Sequence, residues 1–449
     1  MMRSMFSGVS GLKVHQTKMD VIGNNIANVN TVGYKSQRVT FSDVFSQTIS
    51  GASSASDETG RGGVNAMQVG LGVNVSSIDM LMTQGAAQRT DNPFDLMING
   101  DGFIVVGDET GQYFTRSGAL RQDDDGNLVI SNGMKVQGWL ATYNETSNQY
   151  VINSQEVQDI NLADPTIKNS SPAMTSKVQL SGNINSTETS RTTSVNFYDS
   201  IGNYYTLNLK LERESTTATD GSVAYIPNQW TLSPANIEGT NVIVTDAKGN
   251  KVEIPQADLM VDDKAFPLEI KFNANGKLDT AGTPAQATSF KLSLGDNVGI
   301  ETGSLFSDIE VDISGLTQYA TKTNIDTKSL NGSEAGILSG YSIGGDGIIT
   351  ATYSNGDLRK IAQVVLAEFD NPTGLEKVGD NLYSMTSNSG QFDSIGSAGV
   401  FNTGVLEMSN VDLSSEFTDM IITQRGFQAN SRIISVSDEM LQELTNLKR

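Results

Sequence analysis

The sequence SGVSGLKVHQTKMDVIGNNIANVNTVGYK, residues 7–35, is the stretch that decides the fold. Its apolar residues recur at spacings of three, four and seven, the period that places side chains along one stripe of an α-helix. The pattern predicts one helix over residues 3–28, which ends where Asn28, Asn30 and Gly33 favour a turn. The predicted apolar stripe consists of Val9, Leu12, Met19, Ile22, Ile26 and Val29.

The end of the chain repeats this pattern on a larger scale. From Leu413 onwards, apolar residues step by seven in three adjacent rows, which together cover about 160° of a helix surface. A two-stranded coiled coil needs only a narrow seam, so a face this wide indicates contact with more than one neighbouring helix. Ser409 and Asp412 have the spacing of a capping box at its start. The residues that we expect to drive self-assembly are Leu413, Phe417, Met420, Phe427, Ile433, Ile434, Met440, Leu441, Leu444 and Leu447.

Periodicity alone leaves two arrangements open for these helices. They could pair within one chain and bury their apolar faces as an ordinary core, or they could bury them against other copies of the chain. Gly426 lies inside the second helix, where Gly costs about 1 kcal/mol relative to Ala. This glycine therefore indicates a close approach of another element.

Between the helices the pattern changes to that of β-strands and turns. Residues 204–211 alternate between apolar and polar side chains, and two further alternating segments flank a turn at 248–250. Asn-Gly and Asp-Gly pairs, which favour two-residue hairpins, recur along this part of the chain. We therefore predict a multidomain fold. It consists of an α-helical terminal coiled-coil domain, built from both ends, and two or more predominantly antiparallel β-domains nested in the chain.

Composition also predicts the domain boundaries. Small and polar residues from Ser50 to Gly72 cannot build a core and are typical of a connector, whereas Thr, Ser and Asn-rich strands mark an inserted unit. We expect a terminal helical domain at 1–30 and 409–449, a connector at 31–75, a shared β-domain at 76–150 and 317–408, and an inserted outer β-domain at 151–316.

Charge and residue usage argue against several functions. The 51 acidic residues against 30 Lys and Arg give a net charge of -21, so nucleic acid is not expected as a partner. The absence of Cys excludes disulfides, thiolate metal sites and thiol-dependent crosslinks. No apolar run reaches the roughly 20 residues of a transmembrane helix, and the start lacks the features of a secretory signal. The basic first 38 residues would also suit a transit peptide or a membrane-surface helix.

The motifs with possible chemistry do not support an enzyme. GYSIG at 340–344 fits the nucleophile-elbow pattern but precedes a strand pattern instead of a helix. His15, the only histidine, lies on the first helix, where a packed or solvated role is expected. DDDGN at 123–127 is similar to part of a calcium loop, yet the downstream Glu is missing, so a hairpin turn is the better interpretation. We expect no catalytic site, no cofactor and no metal.

Several long segments resemble the flagellar rod and hook family. Residues 7–35 are similar to its N-terminal signature, and GVLEMSNVDLSSEFTDMIITQRGFQANSRIISVSDEMLQELTNLK at 404–448 is similar to its C-terminal signature. NPFDLMINGDGFIVV at 92–106 and YFTRSGALRQDDDGNLV at 113–129 look like the family's shared β-domain, and residues 351–384 look like its return. The resemblance singles out an N-terminal motif made of Asn24, Asn25, Asn28, Asn30, Thr31, Gly33 and Tyr34.

The resemblance implies a structural subunit whose terminal helices form the inner tube of a polymer, with β-domains stacked outwards. It implies a homopolymer, with rod, hook-cap and hook-filament junction proteins and the flagellar type III export apparatus as further partners. The implied location is the extracellular part of the flagellum, reached without a cleaved signal. Length and the large insertion favour the hook, a flexible joint that transmits motor torque to the filament, over the distal rod. A carbohydrate-active or adhesive β-protein remains the alternative from another class.

Overall fold

The computed structural model describes residues 2–54, 60, 62–108, 111–144, 149–217, 223–239, 241–255, 259–261, 264–280, 287–293, 308–395 and 400–447. The chain begins with helix α1, Met2–Ala27, and ends with helix α2, Leu413–Asn446. Both predicted terminal helices are confirmed, the first within one residue at each end. Within the described part of the chain, no helix is long and apolar enough to span a membrane.

The chain divides into two compact units. Unit 1 comprises Met1–Asp164, Gly340–Ala351 and Leu358–Arg449, and unit 2 comprises Pro165–Ser339 and Thr352–Asp357. The finer domain boundaries of the sequence analysis, with the inserted domain at 151–316, remain predictions.

A two-part β-ladder follows α1 in unit 1. Strand β1 pairs with β4 and strand β2 pairs with β3, both antiparallel. Sequence reasoning missed these strands: most side chains of β1, β2 and β3 are exposed and show no regular buried alternation, although β4 alternates between partly buried and exposed positions. The role of the segment 31–75 as a connector remains a prediction. The strands are β1 (Gln37–Asp43), β2 (Ser46–Ser50), β3 (Met67–Gly70) and β4 (Val73–Met80).

Unit 1 continues with short strands and one long strand, β11. They are β5 (Ala87–Arg89), β6 (Leu96–Ile98), β7 (Phe103–Asp108), β8 (Gly111–Thr115), β9 (Leu120–Gln122), β10 (Leu128–Ile130), β11 (Lys135–Asn144), β12 (Gln149–Ile152) and β13 (Gln158–Asp159).

Most of the described strands of unit 2 form two sheets with one common core. One sheet has the order β23-β22-β25-β26-β15-β27, and the other has β19-β20-β17-β18-β24 with β16 and β21 alongside. The alternation at 204–211 belongs to β17, whose Leu207 and Leu209 are fully buried with Trp230. The strands are β14 (Asn169–Ser170), β15 (Lys177–Asn185), β16 (Ser190–Tyr198), β17 (Tyr204–Thr217), β18 (Val223–Pro234), β19 (Ile237–Glu238), β20 (Asn241–Asp246), β21 (Lys251–Pro255), β22 (Met260–Val261), β23 (Lys264–Ala265), β24 (Leu268–Lys271), β25 (Ser289–Ser293), β26 (Ile309–Tyr319) and β27 (Asp326–Leu330).

The return of the chain completes the sheet of unit 1. Strands β30, β11, β7, β8, β33 and β32 follow one another in this antiparallel order over an aromatic core that includes Phe103, Phe114 and Tyr383. Residues 340–343 of GYSIG form the end of strand β28, and the strand pattern predicted after GYSIG is strand β29. The strands are β28 (Gly336–Ile343), β29 (Ile348–Tyr353), β30 (Leu358–Val364), β31 (Leu366–Glu368), β32 (Glu376–Gly379), β33 (Leu382–Ser384), β34 (Asp393–Ile395), β35 (Phe401–Thr403) and β36 (Val405–Glu407), with a 3₁₀ turn at Pro372–Gly374.

Pairing between strands is antiparallel almost throughout the described residues, which confirms a mostly antiparallel β-protein with helices at both termini. The exception is β15, which pairs with β26 in parallel. A parallel neighbour cannot come from a hairpin, and these two strands are indeed far apart along the chain. The local turn signals of the sequence therefore could not reveal this pairing.

The sequence DDDGN at 123–127 forms a hairpin turn, as predicted. Asp123 Oδ1 accepts a hydrogen bond from Asn127 N at 2.6 Å, and Asp123 Oδ2 accepts one from Asn127 Nδ2 at 2.9 Å. The turn joins β9 to β10. The same arrangement, between Asp246 and Asn250, closes the turn that was predicted at 248–250. The carboxylate that a calcium loop would offer to an ion is thus engaged with the turn itself.

Candidate assembly surface

Helices α1 and α2 pack against each other in opposite directions within unit 1. Lys18 pairs with Asp419 at 3.5 Å near one end of the contact. Near the other end, a Cβ added at Gly8 would lie 3.3 Å from Ile434 Cγ1. The two helices are therefore antiparallel, because residues later in α1 contact residues earlier in α2. The two ends of the chain do pair within one subunit, one of the two arrangements that periodicity left open.

The buried residues between the two helices are mostly small or polar. On α2 they lie in a seven-residue row, Glu416, Thr423, Asn430 and Ser437, of which Thr423 and Ser437 are buried. On α1 the buried residues are Gly8, Gly11, Val14, Ile22 and Asn25. An internal core would have used the apolar rows instead, so the pairing within the subunit leaves most of those rows uncovered.

Glycines allow the helices to approach closely. A Cβ at Gly11 would lie 2.6 Å from Asn430 Nδ2, and a Cβ at Gly426 would lie 2.8 Å from two ring atoms of His15. The close approach predicted at Gly426 is therefore confirmed. Burial, together with the charge of Lys18, lowers the pKa of His15. The imidazole packs against α2 at Gly426, so the packed interpretation of this histidine holds.

Two of the three apolar rows of α2 face away from α1, whereas the row that contains Met420, Ile434 and Leu441 lies beside the seam between the two helices. Of the predicted assembly residues, Met420, Ile434 and Leu441 are half-buried and the other seven are exposed. Phe417, for example, is 51% exposed and Leu447 is 80% exposed. Ile421, Ile422 and Val436 are also more than half exposed; Ile422 and Val436 belong to the three predicted rows, and Ile421 was not predicted. The broad predicted face is thus present, but it lies on the outside of the subunit.

The apolar stripe of α1 is divided between two environments. Ile22 is buried, Leu12, Met19, Ile26 and Val29 are half-buried, and Val9 is exposed. The exposed part extends to Met2 and Phe6, which are 57% and 60% exposed and which the sequence analysis did not select. The start of α1 therefore adds to the uncovered apolar surface.

Asn25 is the centre of the N-terminal motif. Its side chain donates to Gln37 O at 2.9 Å and to Glu416 Oε1 at 3.0 Å, and its Oδ1 accepts from Gln37 N at 3.0 Å and from the Tyr34 hydroxyl at 3.3 Å. One amide thereby connects the end of α1, the start of β1 and the start of α2. Desolvation raises the pKa of Glu416, while the hydrogen bond from Asn25 acts in the opposite direction.

The other motif residues shape the turn after α1. Asn28 Nδ2 donates to Asn24 O at 2.9 Å, and Thr31 Oγ1 donates to Asn28 Oδ1 at 3.1 Å, while Asn30 is exposed. Gly33 has a φ of 68°, and a Cβ there would lie 2.8 Å from the carbonyl of Arg116. Only glycine fits at this position, because both the backbone conformation and the space exclude a side chain.

Sequence reasoning missed Asn410, which secures the start of α2. Its Oδ1 accepts from Ser36 N at 2.8 Å, and its Nδ2 donates to Leu81 O at 2.8 Å. The residue stands inside the quoted C-terminal signature, but nothing in its spacing indicates partners so far away in sequence.

Apolar side chains are also exposed on the β-ladder that follows α1. Phe45 is 85% exposed, Ile49 63% and Met67 57%. They extend the uncovered apolar surface of unit 1 beyond the helices.

Four protein-family models match the chain. The matches are the C-terminal part of the flagellar basal body rod FlgEFG proteins at 402–447, the flagella basal body rod protein at 5–35, the D1 domain of the flagellar hook proteins FlgE/F/G at 97–185, and the D2 domain of the flagellar basal body protein FlaE at 169–333. The fold and the terminal helices thus define a structural protein of the flagellar rod and hook class.

Relatives assign the chain within this class. The flagellar hook protein FlgE of Borreliella burgdorferi is 40% identical and that of Treponema pallidum 38%, each over 100% of both chains. The FlgE of Salmonella typhimurium is 31% identical over 99% of this chain and 100% of its own, and the rod protein FlgG of Bacillus subtilis is 28% identical over 100% of both. The crystal structure of Helicobacter pylori FlgE2 superposes with a TM-score of 0.43 at 13% identity, covering 72% of this chain and 99% of that one. The chain belongs to the flagellar hook protein family, and the hook is favoured over the rod.

Proposed function

We propose that this hook-family subunit polymerises by burying the exposed apolar rows of α2 and the start of α1 against other copies of itself. The proposal rests on the orientation of α2 in the helix pair. The small and polar row of α2 faces α1, while ten large apolar side chains, from Leu413 to Leu447, are exposed along the length of the helix. The coiled-coil character expected of the helices would then arise between subunits.

The free energies of burying these side chains and of immobilising a subunit favour a polymer over a simple dimer. Ten large apolar side chains at or beside α2 are exposed, and covering the exposed half of each stabilises by about 1 kcal/mol. The total of about 10 kcal/mol is comparable to the cost of about 4–15 kcal/mol for immobilising a free subunit. One neighbour on one side would therefore bind weakly. Several neighbours around a broad face would bind firmly, which is the situation inside a tube.

The remaining assignments extend this proposal to the whole organelle. The helices line the inner tube and the β-domains lie outside, so that the polymer forms a flexible joint that transmits torque from the motor to the filament. The subunit leaves the cell through the type III export apparatus without a cleaved signal and lies in the extracellular hook. It meets rod, hook-cap and hook-filament junction proteins at the ends of the polymer. No enzymatic activity is part of the proposal, and the family is one of structural proteins.

A double variant on α2 tests the proposal. Ile421→Ser with Ile422→Ser removes two exposed apolar side chains and has little effect on helix propensity, because Ile and Ser are similar. We expect the concentration needed for polymerisation, measured by sedimentation, to rise at least about tenfold. Circular dichroism of the unpolymerised subunit should remain unchanged.

Gln424→Ser with Gln428→Ser is the matched control, because both glutamines are exposed on the same helix. This control should polymerise like the parent chain. If the isoleucine variant polymerised as readily as the control, the proposed surface would be refuted.

A further inference from the structure

Three charged side chains are buried together near the C-terminus of α1 and the N-terminus of α2. The side chains of Lys35 and Glu407 are each 1% exposed, and that of Arg116 is 2% exposed. Lys35 lies just after the turn that ends α1, Arg116 just after β8, and Glu407 at the end of β36. Ionised groups in such a site are costly unless they are paired. We call these three residues the buried ion cluster.

Glu407 connects the members of this cluster. Its Oε1 accepts hydrogen bonds from Lys35 Nζ at 2.7 Å and from Gly85 N at 2.9 Å. Its Oε2 lies 3.7 Å from Arg116 Nη1, and its main-chain oxygen accepts from Gly33 N at 2.8 Å. The one residue therefore contacts the segment after α1, the segment after β4 and the β-sheet of unit 1.

The two cations are held on opposite sides of this carboxylate. Arg116 Nη1 donates to Gly100 O at 2.9 Å, and its guanidinium lies 5.1 Å from the ring centre of Phe103 in the core. Lys35 Nζ donates to Thr83 O at 2.8 Å. Burial lowers the pKa of both Lys35 and Arg116, while Glu407 opposes the shift. Without the carboxylate, two cations would share a buried site without a fully buried anion, since Asp101, near Arg116, is 78% exposed.

We propose that Glu407 is a positioning residue for assembly, whose carboxylate docks both terminal helices onto the β-sheet of unit 1. Lys35 and Glu407 are 372 positions apart, so the buried ion cluster closes only when both ends of the chain have reached the same place. Gly33 and Lys35 then fix the segment that follows α1, and β36 fixes the segment that precedes α2. This inference rests on the proposed function, because it explains how a polymer built through the helices passes load to the rest of unit 1.

Hydrogen exchange on the full-length, unpolymerised chain tests the inference. Glu407→Gln keeps the shape of the side chain and removes its charge. We expect amides of the segments 32–36 and 405–411 to exchange at least about tenfold faster, while those of β7 stay protected. The matched control is Glu443→Gln, which makes the same charge change on the exposed side of α2 and should leave both segments unaffected.

Two results would overturn the inference. One is unchanged protection of both segments in Glu407→Gln, and the other is a parallel loss in β7, which would make the residue a general determinant of the fold. Glu407→Asp retains the charge and should restore most of the protection. If Glu407→Gln does not fold, a folded Glu407→Asp with both segments released would contradict the inference.

Polymerisation separates this inference from the proposed function. Glu407→Gln leaves the apolar rows of α2 intact and should still polymerise less readily than Glu443→Gln, because its helices are no longer held. Normal polymerisation of Glu407→Gln would refute a role in assembly. Normal polymerisation of the isoleucine variant would refute the apolar surface and would leave the exchange result on the buried ion cluster unaffected.

Discussion

His15 fills a notch on α2 that exists only because residue 426 has no side chain. The imidazole also meets the ring of Phe41 edge-on at 6.3 Å, so it is held from two sides. Sequence reasoning could predict the close approach, since a glycine inside an amphipathic helix needs a packing reason. It could not predict the partner, because nothing in the spacing of either helix links positions 15 and 426. The same limit applies to the buried ion cluster, whose residues belong to three distant segments.

Two glycine substitutions measure the value of this notch. Gly426→Ala and Gly23→Ala gain the same helix propensity, but an added Cβ at Gly23 meets nothing within 4 Å, whereas one at Gly426 meets the His15 ring at 2.8 Å. We expect Gly23→Ala to stabilise the helix pair by about 0.5–1 kcal/mol. Gly426→Ala should be less stable than Gly23→Ala by about 1–3 kcal/mol, because the ring or the helix must move. Thermal unfolding followed at 222 nm gives both values, and equal values would show that the helices do not approach closely in solution.

Helix α2 shows why a periodic pattern predicts an element better than it predicts the element's surroundings. The spacing of apolar residues located the helix, whereas contact of its wide apolar face with more than one neighbouring helix stays a prediction. The same seven-residue period, however, also runs through Glu416, Thr423, Asn430 and Ser437, and this second row is the one that faces α1. Strands β1–β3 were missed for the opposite reason, because exposed strands carry little apolar alternation.

The N-terminus of α2 also differs from its prediction. The capping-box spacing pointed to Ser409, but the cap is Asp412, whose Oδ1 accepts from Ser414 N at 2.9 Å and, more weakly, from Ser415 N at 3.5 Å. Asp412→Ala should destabilise α2 by about 0.5–2 kcal/mol. Ser409→Ala should change stability by less than about 0.5 kcal/mol. Hydrogen exchange in the first turn of α2 distinguishes the two, and a larger effect for Ser409→Ala would contradict the observed cap.

The whole molecule combines well-buried β-sheet cores with an apolar surface that its own helices do not cover. Fold class and the existence of two helical ends followed from the sequence, because local periods encode both. The sequence did not predict which apolar side chains of α2 would stay exposed. That depends on which residues form the contact between α1 and α2, and these residues lie some 400 positions apart. The account of assembly depends on this direction. In the free subunit the rows of α2 are accessible, and in the polymer they should be covered by other copies.

Cysteine labelling tests this claim most directly, because the chain has no native Cys. In an Ile422→Cys chain, the thiol should react readily with a maleimide in the unpolymerised subunit. In the polymer it should react at least about tenfold more slowly, since covering one such side chain stabilises by about 1.5–3 kcal/mol, and dissociating the polymer should restore the rate. Equal labelling rates in the free subunit and in intact polymer would contradict the account.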